Sequence, residues 1–197
     1  AFVNFAGDYL APGLVTYGLR GTFALGELDG KVSPRVEALC ELLRCFEPNV
    51  VISTNIFGLL WGKASYGAVL TASALTNEPI TDFIDAPGRR HLIKCLVQEV
   101  LDVAVAEGVK PMGFDTFEPK AFITRDEVAM ESSLDALAAF NRGTGKPHSG
   151  VWRDLAVRKR KTEVVVQFRP IERTAHQHGL RLPLVKLLME LVESVDC

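Results

Sequence analysis

The spacing of hydrophobic and polar positions changes once along the chain, near residue 54. Before that point, glycine and proline separate short apolar runs, which predicts strands near residues 1–5, 13–17 and 21–27. Beyond it, apolar residues recur at helical spacing over much longer stretches. We therefore expect a mainly helical protein that begins with a small α/β portion.

A helix and a strand are predicted at the end of this first portion. Ser33, followed by proline, is a favourable N-cap, and the helix it opens ends before Pro48. The apolar residues of this helix lie at helical spacing: Val36, Leu39, Cys40, Leu43 and Phe46. Residues 49–53 are short, apolar and β-branched, as in a strand. This order is that of the end of an α/β domain, so we expect one domain over residues 1–53 and a helical domain over residues 54–197.

The second portion is predicted to contain six helices. The first, residues 55–77, carries one charge and has apolar or small residues on every side, which is typical of a helix buried all round. The others are expected near residues 89–107, 116–123, 126–142, 168–178 and 183–195. No apolar run reaches the roughly 18 residues of a membrane-spanning helix, because Lys63 interrupts the longest candidate. We therefore expect no association with a membrane.

Composition and charge narrow the classes of function. The chain has 197 residues, of which 48% are hydrophobic and 23% are charged, as in ordinary globular proteins. Its 22 basic and 24 acidic residues give a net charge of -2, which provides no general attraction to nucleic acid or to an anionic membrane. The four cysteines show no CxxC spacing and no signal peptide opens the chain, which favours a cytoplasmic protein. The apolar start without methionine indicates a processed product or a piece of a longer gene.

Lys63 is the first candidate for chemistry. Burying a lysine in an apolar helix is costly unless the ammonium is paired. The small neighbours Gly58, Gly62 and Gly67 allow backbone or a ligand to approach this helix closely. The pattern favours a cleft beside the helix. The alternative is that Lys63 lies at the rim of the helix and extends to solvent.

Glu163 is the second candidate, because it stands between a basic run, residues 158–161, and an apolar run. A carboxylate in this place can pair with a cation or hydrogen-bond a substrate hydroxyl. The alternative is an N-cap box built on Thr162. The basic run itself is interpreted as a solvated face, since no aromatic residues are interleaved with it, and nucleic-acid binding is not expected.

Other common site motifs are missing from the sequence. Cys40 and Cys45 do not share a helix face, nor do His176 and His178, so no metal site is expected. There is no GxGxxG or Walker A loop to cradle a phosphate. There is also no GxSxG or HExxH motif of a hydrolase.

Three blocks in fixed order nevertheless resemble one family. They are NIFGLLWGKASYGAVLTASAL, EVLDVAVAEGV and HSGVWRDLAVRKRKTEV, and the earlier segment PGLVTYGLRGTFALGELDG fits the same pattern. Together, over about residues 12–197, they resemble the 2-dehydropantoate 2-reductase (ketopantoate reductase) family. This resemblance implies the last strands and helix of a Rossmann domain, followed by an all-helical domain of the 6-phosphogluconate dehydrogenase type.

The resemblance also implies an activity and a set of site residues. The reaction would be the NADPH-dependent reduction of a 2-oxo acid, most directly of 2-dehydropantoate to pantoate in pantothenate and coenzyme A synthesis. Lys63 matches the lysine that protonates the carbonyl oxygen, a role suited to a buried lysine of lowered pKa. Glu163 matches the acid that hydrogen-bonds the substrate hydroxyl and orients Lys63, and Ser149 matches a serine that contacts the substrate carboxylate. A homodimer is also considered.

Departures from the family pattern keep other functions open. Typical members carry asparagines four and eight residues after the lysine, where this sequence has Gly67 and Thr71. Losing such an amide contact is worth about 1–3 kcal/mol, and we expect Thr71 to replace only part of one contact. Val165 stands where an aspartate is usual. These differences favour a related 2-oxo substrate. The missing nucleotide fingerprint supports another class, a non-catalytic helical module for binding or dimerisation.

Overall fold

The N-terminal portion of the chain forms two small sheets and one helix. The computed structural model describes residues 1–5, 7–18 and 20–196, so Cys197 lies outside the described residues. The elements are β1 (Phe2–Val3), β2 (Gly7–Ala11), β3 (Leu14–Tyr17), β4 (Phe23–Leu25), α1 (Pro34–Leu43) and β5 (Val51–Ile52). In the first sheet, β4 pairs antiparallel with β1 and parallel with β5, whereas β2 and β3 form a separate hairpin.

The parallel strands and α1 share a core of their own. The side chain of Ser33 accepts a hydrogen bond from the backbone nitrogen of Val36 at 3.2 Å and so caps α1, as its sequence predicts. The buried side chains of this core are Phe23, Leu25, Val36, Cys40 and Val50. Two parallel strands joined through a helix are a βαβ unit, which confirms the α/β character of this portion.

The rest of the described chain is helical, as predicted. Its helices are α2 (Ile56–Ser73), α3 (Ile80–Asp85), α4 (Pro87–Ala106), α5 (Pro119–Ile123), α6 (Glu127–Gly143), α7 (Gly150–Trp152), α8 (Val164–Gln177) and α9 (Pro183–Val195). One apolar core joins α2 to α3, α4, α5 and α6, and a second joins it to α4, α8 and α9. Because α2 contributes to both cores, it needs apolar or small residues on all sides. None of the described helices is both long and apolar enough to cross a bilayer.

Several predicted boundaries are wrong. The helix predicted over residues 55–77 ends at Ser73, and α3 follows as a separate helix without a predicted counterpart. The helix predicted from residue 168 begins at Val164. Within residues 116–123 only α5 is helical, because Phe114 and Phe117 pair in a short β-bridge just before it. These differences arise where tertiary contacts, rather than apolar spacing, decide the end of a helix.

Other elements have no signal in the apolar spacing. The periodicity predicts no helix over residues 150–158, where α7 continues as a π-helix over Arg153–Arg158. It also predicts no strand at β2, which forms by pairing with β3 across a turn at Gly13. The strand predicted over residues 1–5 is confined to Phe2–Val3.

Gly58 and Gly62 bring a loop into direct contact with α2. A Cβ atom on Gly58 would lie 2.5 Å from the carbonyl oxygen of Lys110, and one on Gly62 would overlap the carbonyl oxygen of Met112. The backbone nitrogen of Met112 also donates to the Gly58 oxygen at 2.9 Å. Only glycine leaves enough room for this approach of two backbones.

We expect Gly62→Ala to lower the free energy of unfolding by about 1–3 kcal/mol, because the added methyl group displaces the loop from α2. Better helix propensity, worth about 1 kcal/mol, offsets part of this loss. Urea denaturation measures the change. Gly88→Ala is the matched control, since a Cβ on this helical glycine meets no atom within 4 Å. Equal effects of the two substitutions would contradict the close contact at Gly62.

Candidate functional site

A cleft of about 680 Å³ opens between α2, residues 149–160 and the start of α8. The wall on α2 is formed by residues at helical spacing: Leu60, Lys63, Ala64, Gly67, Leu70 and Thr71. Asn4, directly after β1, also lines this space. The side chains around it include both charged groups and a continuous apolar set, which suits a small polar molecule with an apolar part.

The four site residues predicted from sequence all line this cleft. Lys63 and Thr71 lie on α2, two turns apart. Ser149 is the N-cap of α7, and Glu163 is the N-cap of α8. Residues separated by 100 positions in the sequence thus face one volume. No hydrogen bond joins Lys63 to Glu163 within the described part of the chain.

The ammonium of Lys63 is held by β1. Its Nζ donates a hydrogen bond to the carbonyl oxygen of Val3 and lies 5.6 Å from the centre of the Phe2 ring. The negative face of an aromatic ring attracts a cation at this range. The environment of the lysine is therefore shaped by the N-terminal sheet as well as by its own helix.

The Lys63 side chain lines the cleft and, taken as a whole, is exposed. The open cleft takes the place of the packed side chains that would otherwise bury Lys63. Its ammonium contacts protein through β1. Partial burial still lowers the pKa of Lys63 below its ordinary value, because the charged form loses hydration. A lysine of lowered pKa gives up its proton more readily near neutral pH.

Asp115 fastens β1 to the helical portion. Its Oδ2 accepts a hydrogen bond from Asn4 Nδ2 at 2.5 Å, and its Oδ1 accepts from both the backbone nitrogen and Oγ1 of Thr22 at 3.0 Å. Asn4 and Thr22 are themselves joined, since Asn4 N donates to Thr22 O at 2.8 Å. One carboxylate thus fixes the ends of two strands, one of which carries the Val3 carbonyl.

Thr71 and Ser149 line the cleft with hydroxyl groups that are already engaged. Oγ1 of Thr71 donates to the carbonyl oxygen of Gly67 at 2.9 Å, within its own helix. Oγ of Ser149 accepts from the backbone nitrogen of Trp152 at 3.2 Å and so caps α7. Both residues are buried. The Thr71 hydroxyl can still accept a hydrogen bond, but its proton is used by the helix.

Glu163 is exposed and begins α8 without a side-chain cap bond. The alternative of an N-cap box on Thr162 is wrong. Thr162 is instead bound to Asp196, whose carboxylate accepts from the Thr162 nitrogen at 3.0 Å and from its Oγ1 at 3.1 Å. Asp196 thus takes the hydroxyl that a cap on Thr162 would use, and Glu163 is among the residues that line the cleft.

Part of the basic run belongs to the cleft. Arg158 and Arg160 line it and both form ion pairs with Asp154 at 2.9 Å, so the interpretation of this run as a solvated face is incomplete. Burial opposes ionisation of Asp154, but the hydrogen bonds from Arg160 and Arg158 outweigh it and lower the pKa of the carboxyl group. The sequence carries a weak signal for this group, because Asp154 and Arg158 are four residues apart.

Tyr66 is a further cleft residue that sequence reasoning does not find. Its hydroxyl donates to Oδ1 of Asn141 at 3.1 Å, and burial raises the pKa of Tyr66 to about 12. A tyrosine within an apolar helix is indistinguishable in sequence from an ordinary core residue. Its proton is held by Asn141 throughout the physiological pH range.

The described residues provide neither a grouped metal-binding set nor a glycine-rich phosphate loop. Within residues 1–5, 7–18 and 20–196, no three histidine, cysteine or acidic side chains are grouped to bind a metal. The sequence contains no GxGxxG pattern, which is the pattern that cradles the pyrophosphate of a dinucleotide. Gly26 and Gly30, between β4 and α1, instead pack closely against the carbonyl oxygens of Ser53 and Thr54.

Comparison with known families decides where the chain belongs. Residues 55–196, from the start of α2 to the end of the described chain, match the family model of the ketopantoate reductase PanE/ApbA C terminal. The chain belongs to the ketopantoate reductase family. The match confirms the resemblance seen in the sequence blocks and assigns the helical portion to the C-terminal domain of this family.

One curated relative of this chain is only distantly similar to it. Over 105 residues the chain is 28% identical to peramine synthetase A of Epichloe festucae (strain Fl1). This match covers 52% of the chain and 4% of the synthetase. The matched segment is therefore a very small part of the synthetase.

Solved structures similar to this ketopantoate reductase family member share its fold. The 2-dehydropantoate 2-reductase of Geobacter metallireducens GS-15 has a TM-score of 0.79 and 20% identity, over 98% of this chain and 59% of that one. The complex of D-mandelate dehydrogenase with NADH has a TM-score of 0.74 and 20% identity, over 98% of this chain and 65% of that one. A dimeric ketopantoate reductase of Staphylococcus aureus has a TM-score of 0.70 and 18% identity, over 99% of this chain and 60% of that one. The chain spans less than two thirds of each relative.

We expect Lys63 to titrate below the ordinary lysine value of 10.5, because partial burial disfavours its charged form. NMR titration of the ¹³C-dimethylated protein measures this pKa, and Lys63→Arg identifies the resonance. Unfolding restores the higher value, so between the two values the unfolded chain binds more protons and the free energy of unfolding rises with pH. Lys63→Met should remove this alkaline rise. A Lys63 resonance that titrates at 10.5 or above would contradict the burial of the ammonium.

Proposed function

We propose that the chain is the substrate-binding part of a cytoplasmic, NADPH-dependent reductase of 2-oxo acids, with 2-dehydropantoate as the first candidate substrate. The observation that carries this proposal is that Lys63 on α2 and Glu163 at the start of α8 line one cleft. The proposal assigns residues 1–53 to the end of a dinucleotide-binding domain and residues 54–197 to the domain that binds the substrate.

Lys63 is proposed as the general acid. Reduction of a 2-oxo acid adds a hydride to the carbonyl carbon and a proton to the carbonyl oxygen, which gives a 2-hydroxy acid. The Lys63 ammonium donates that proton as negative charge develops on the oxygen. Its lowered pKa supports this role, because the best general acid has a pKa near the working pH.

Glu163, Ser149 and Thr71 are proposed to hold the substrate. Glu163 accepts a hydrogen bond from the substrate hydroxyl and orients Lys63. Ser149 contacts the substrate carboxylate, and Thr71 accepts one hydrogen bond with its remaining lone pairs. The arginine side chains at the cleft, both paired with Asp154, add positive potential that favours a carboxylate.

NADPH is proposed as the source of the hydride. Hydride transfer is the chemistry that a nicotinamide coenzyme supplies, and the similar D-mandelate dehydrogenase is known in complex with NADH. Because the sequence contains no glycine-rich phosphate loop, the described residues leave the choice between NADPH and NADH open. The coenzyme preference is therefore tested with the full gene product.

A related 2-oxo acid is the second candidate substrate. Gly67 and Thr71 stand where the family pattern has asparagines, so two amide contacts to a hydroxylated substrate are absent. D-mandelate dehydrogenase, whose structure is also known with anilino(oxo)acetate, supports such a substrate for this fold. The same panel of substrates separates the two candidates.

We expect the full gene product to oxidise NADPH with a 2-oxo acid, and Lys63→Ala to lower kcat by about 100-fold or more, since the general acid is lost. Glu163→Gln should lower kcat/KM by about 10- to 100-fold, because a charged hydrogen bond to the substrate is weakened. Absorbance of the reduced coenzyme measures both, with NADPH and NADH compared.

The matched control for Lys63→Ala is Lys186→Ala, since Lys186 is an exposed lysine on α9 that does not line the cleft. Equal loss in the two variants would contradict the role of Lys63. A folded protein that turns over no 2-oxo acid would favour the non-catalytic binding module.

We also propose that the full gene product is a homodimer, by analogy with the dimeric relative from Staphylococcus aureus. Analytical ultracentrifugation at micromolar concentration should give twice the mass of one chain. A single-chain mass over the whole concentration range would exclude the dimer.

A further inference from the structure

The glycines of α2 divide into two kinds. Gly58 and Gly62 are needed for contact with the backbone of residues 110–112. Gly67 is different, because it lines the cleft and a Cβ atom there would meet no other atom within 4 Å. No packing requirement therefore explains glycine at this position, although glycine weakens a helix interior. What the missing side chain provides is open space in the cleft.

This open space lies on the same face of α2 as Lys63. Gly67 follows Lys63 by four residues, so the two positions share one helix face and are separated by about 6 Å along the axis. A molecule whose carbonyl oxygen is beside the Lys63 ammonium reaches Gly67 with the next few atoms of its chain. The group at that end of the molecule meets no side chain from position 67.

Apolar side chains are part of the lining of the cleft that holds this space. Ala64 and Leu70 flank it on α2, while Phe168 and Ile171 line the cleft from α8. The polar groups of α2 nearby are committed elsewhere. The Thr71 hydroxyl donates to the carbonyl oxygen of Gly67 at 2.9 Å, and that of Tyr66 donates to Asn141 at 3.1 Å. A hydroxyl group placed over Gly67 would lose water and find no donor in these two side chains, so its only partner among them is the accepting oxygen of Thr71.

We propose that the substrate is a 2-oxo acid whose carbonyl carbon carries a bulky, apolar group, branched aliphatic or aromatic, and that this group lies over Gly67. Gly67 is then a specificity-determining residue. The proposal rests on the proposed reduction of a 2-oxo acid, specifies the side chain of its substrate, and so favours the second candidate substrate, a related 2-oxo acid, over 2-dehydropantoate. A side chain at position 67 would occupy the volume that the apolar group needs.

The test compares kcat/KM of the full gene product with four substrates and NADPH. Phenylglyoxylate and 3,3-dimethyl-2-oxobutanoate are bulky and apolar, pyruvate is small, and 2-dehydropantoate differs from 3,3-dimethyl-2-oxobutanoate by one hydroxyl group. We expect phenylglyoxylate to exceed pyruvate by about tenfold or more. We also expect 3,3-dimethyl-2-oxobutanoate to exceed 2-dehydropantoate by a similar factor.

Gly67→Leu should reverse the preference for the bulky substrates, lowering the ratio of phenylglyoxylate to pyruvate by about tenfold or more. Gly88→Leu is the matched control, because Gly88 is a helical glycine with open space around it that does not line the cleft. We expect this control to leave the ratio as it is. The midpoint of thermal unfolding shows whether each variant folds, and Gly67→Leu should not lower it.

The outcomes distinguish this inference from the proposed function. Turnover that depends on Lys63 but favours pyruvate or 2-dehydropantoate would overturn the apolar group over Gly67 and leave the reductase intact. If no 2-oxo acid is turned over, the proposed reductase activity is overturned. Calorimetry of phenylglyoxylate binding then tests whether an apolar group binds over Gly67. Binding that Gly67→Leu weakens tenfold would support the apolar site, and no binding would overturn it.

Discussion

The close contact between α2 and the backbone of residues 110–112 is the constraint on which the rest of the structure depends. Gly58 and Gly62 allow that contact, and the loop it places leads directly to Asp115. Asp115, at a positive φ of 51°, then holds Asn4 and Thr22 with one carboxylate. Since these residues end β1 and precede β4, the N-terminal sheet is set against α2. The Val3 carbonyl reaches the Lys63 ammonium as a consequence.

The charged side chains around the cleft are also held in place by contacts within the protein, without any ligand. Asp154 gathers Arg158 and Arg160, and this fixes two side chains that would otherwise be flexible in water. With Lys63 and Glu163, the described lining has three cations and two carboxylates. The excess of positive charge favours an anion, and the pairing through Asp154 prevents a strong general attraction to polyanions. A small carboxylic acid fits this balance better than a nucleic acid.

Sequence reasoning finds the elements that one local pattern determines. Ser33 as a cap and α2 as the central helix follow from residues close to each other in the chain. The π-helix after α7 has no such pattern, since its shape is not one of the regular periodicities. The contact just before α8 has no local pattern either, because Thr162 is bound by Asp196, which is 34 residues away in the chain. Which side chains share the cleft follows from tertiary packing: the residue pattern alone names Lys63 and Glu163 as candidates, and the family resemblance adds Ser149 and Thr71.

The glycines of α2 explain how one helix serves both the fold and the site. At Gly62 any side chain strikes backbone, which cannot move without releasing the loop that leads to Asp115. At Gly67 the same change meets only the cleft, so the fold places no restriction on the residue there. The surface that meets a ligand can therefore change by single substitutions while the position of Lys63 is maintained. Because the Lys63 ammonium is bound by β1, its surroundings depend on both portions of the chain, whereas most of the cleft beside it is lined by α2, residues 149–163 and α8.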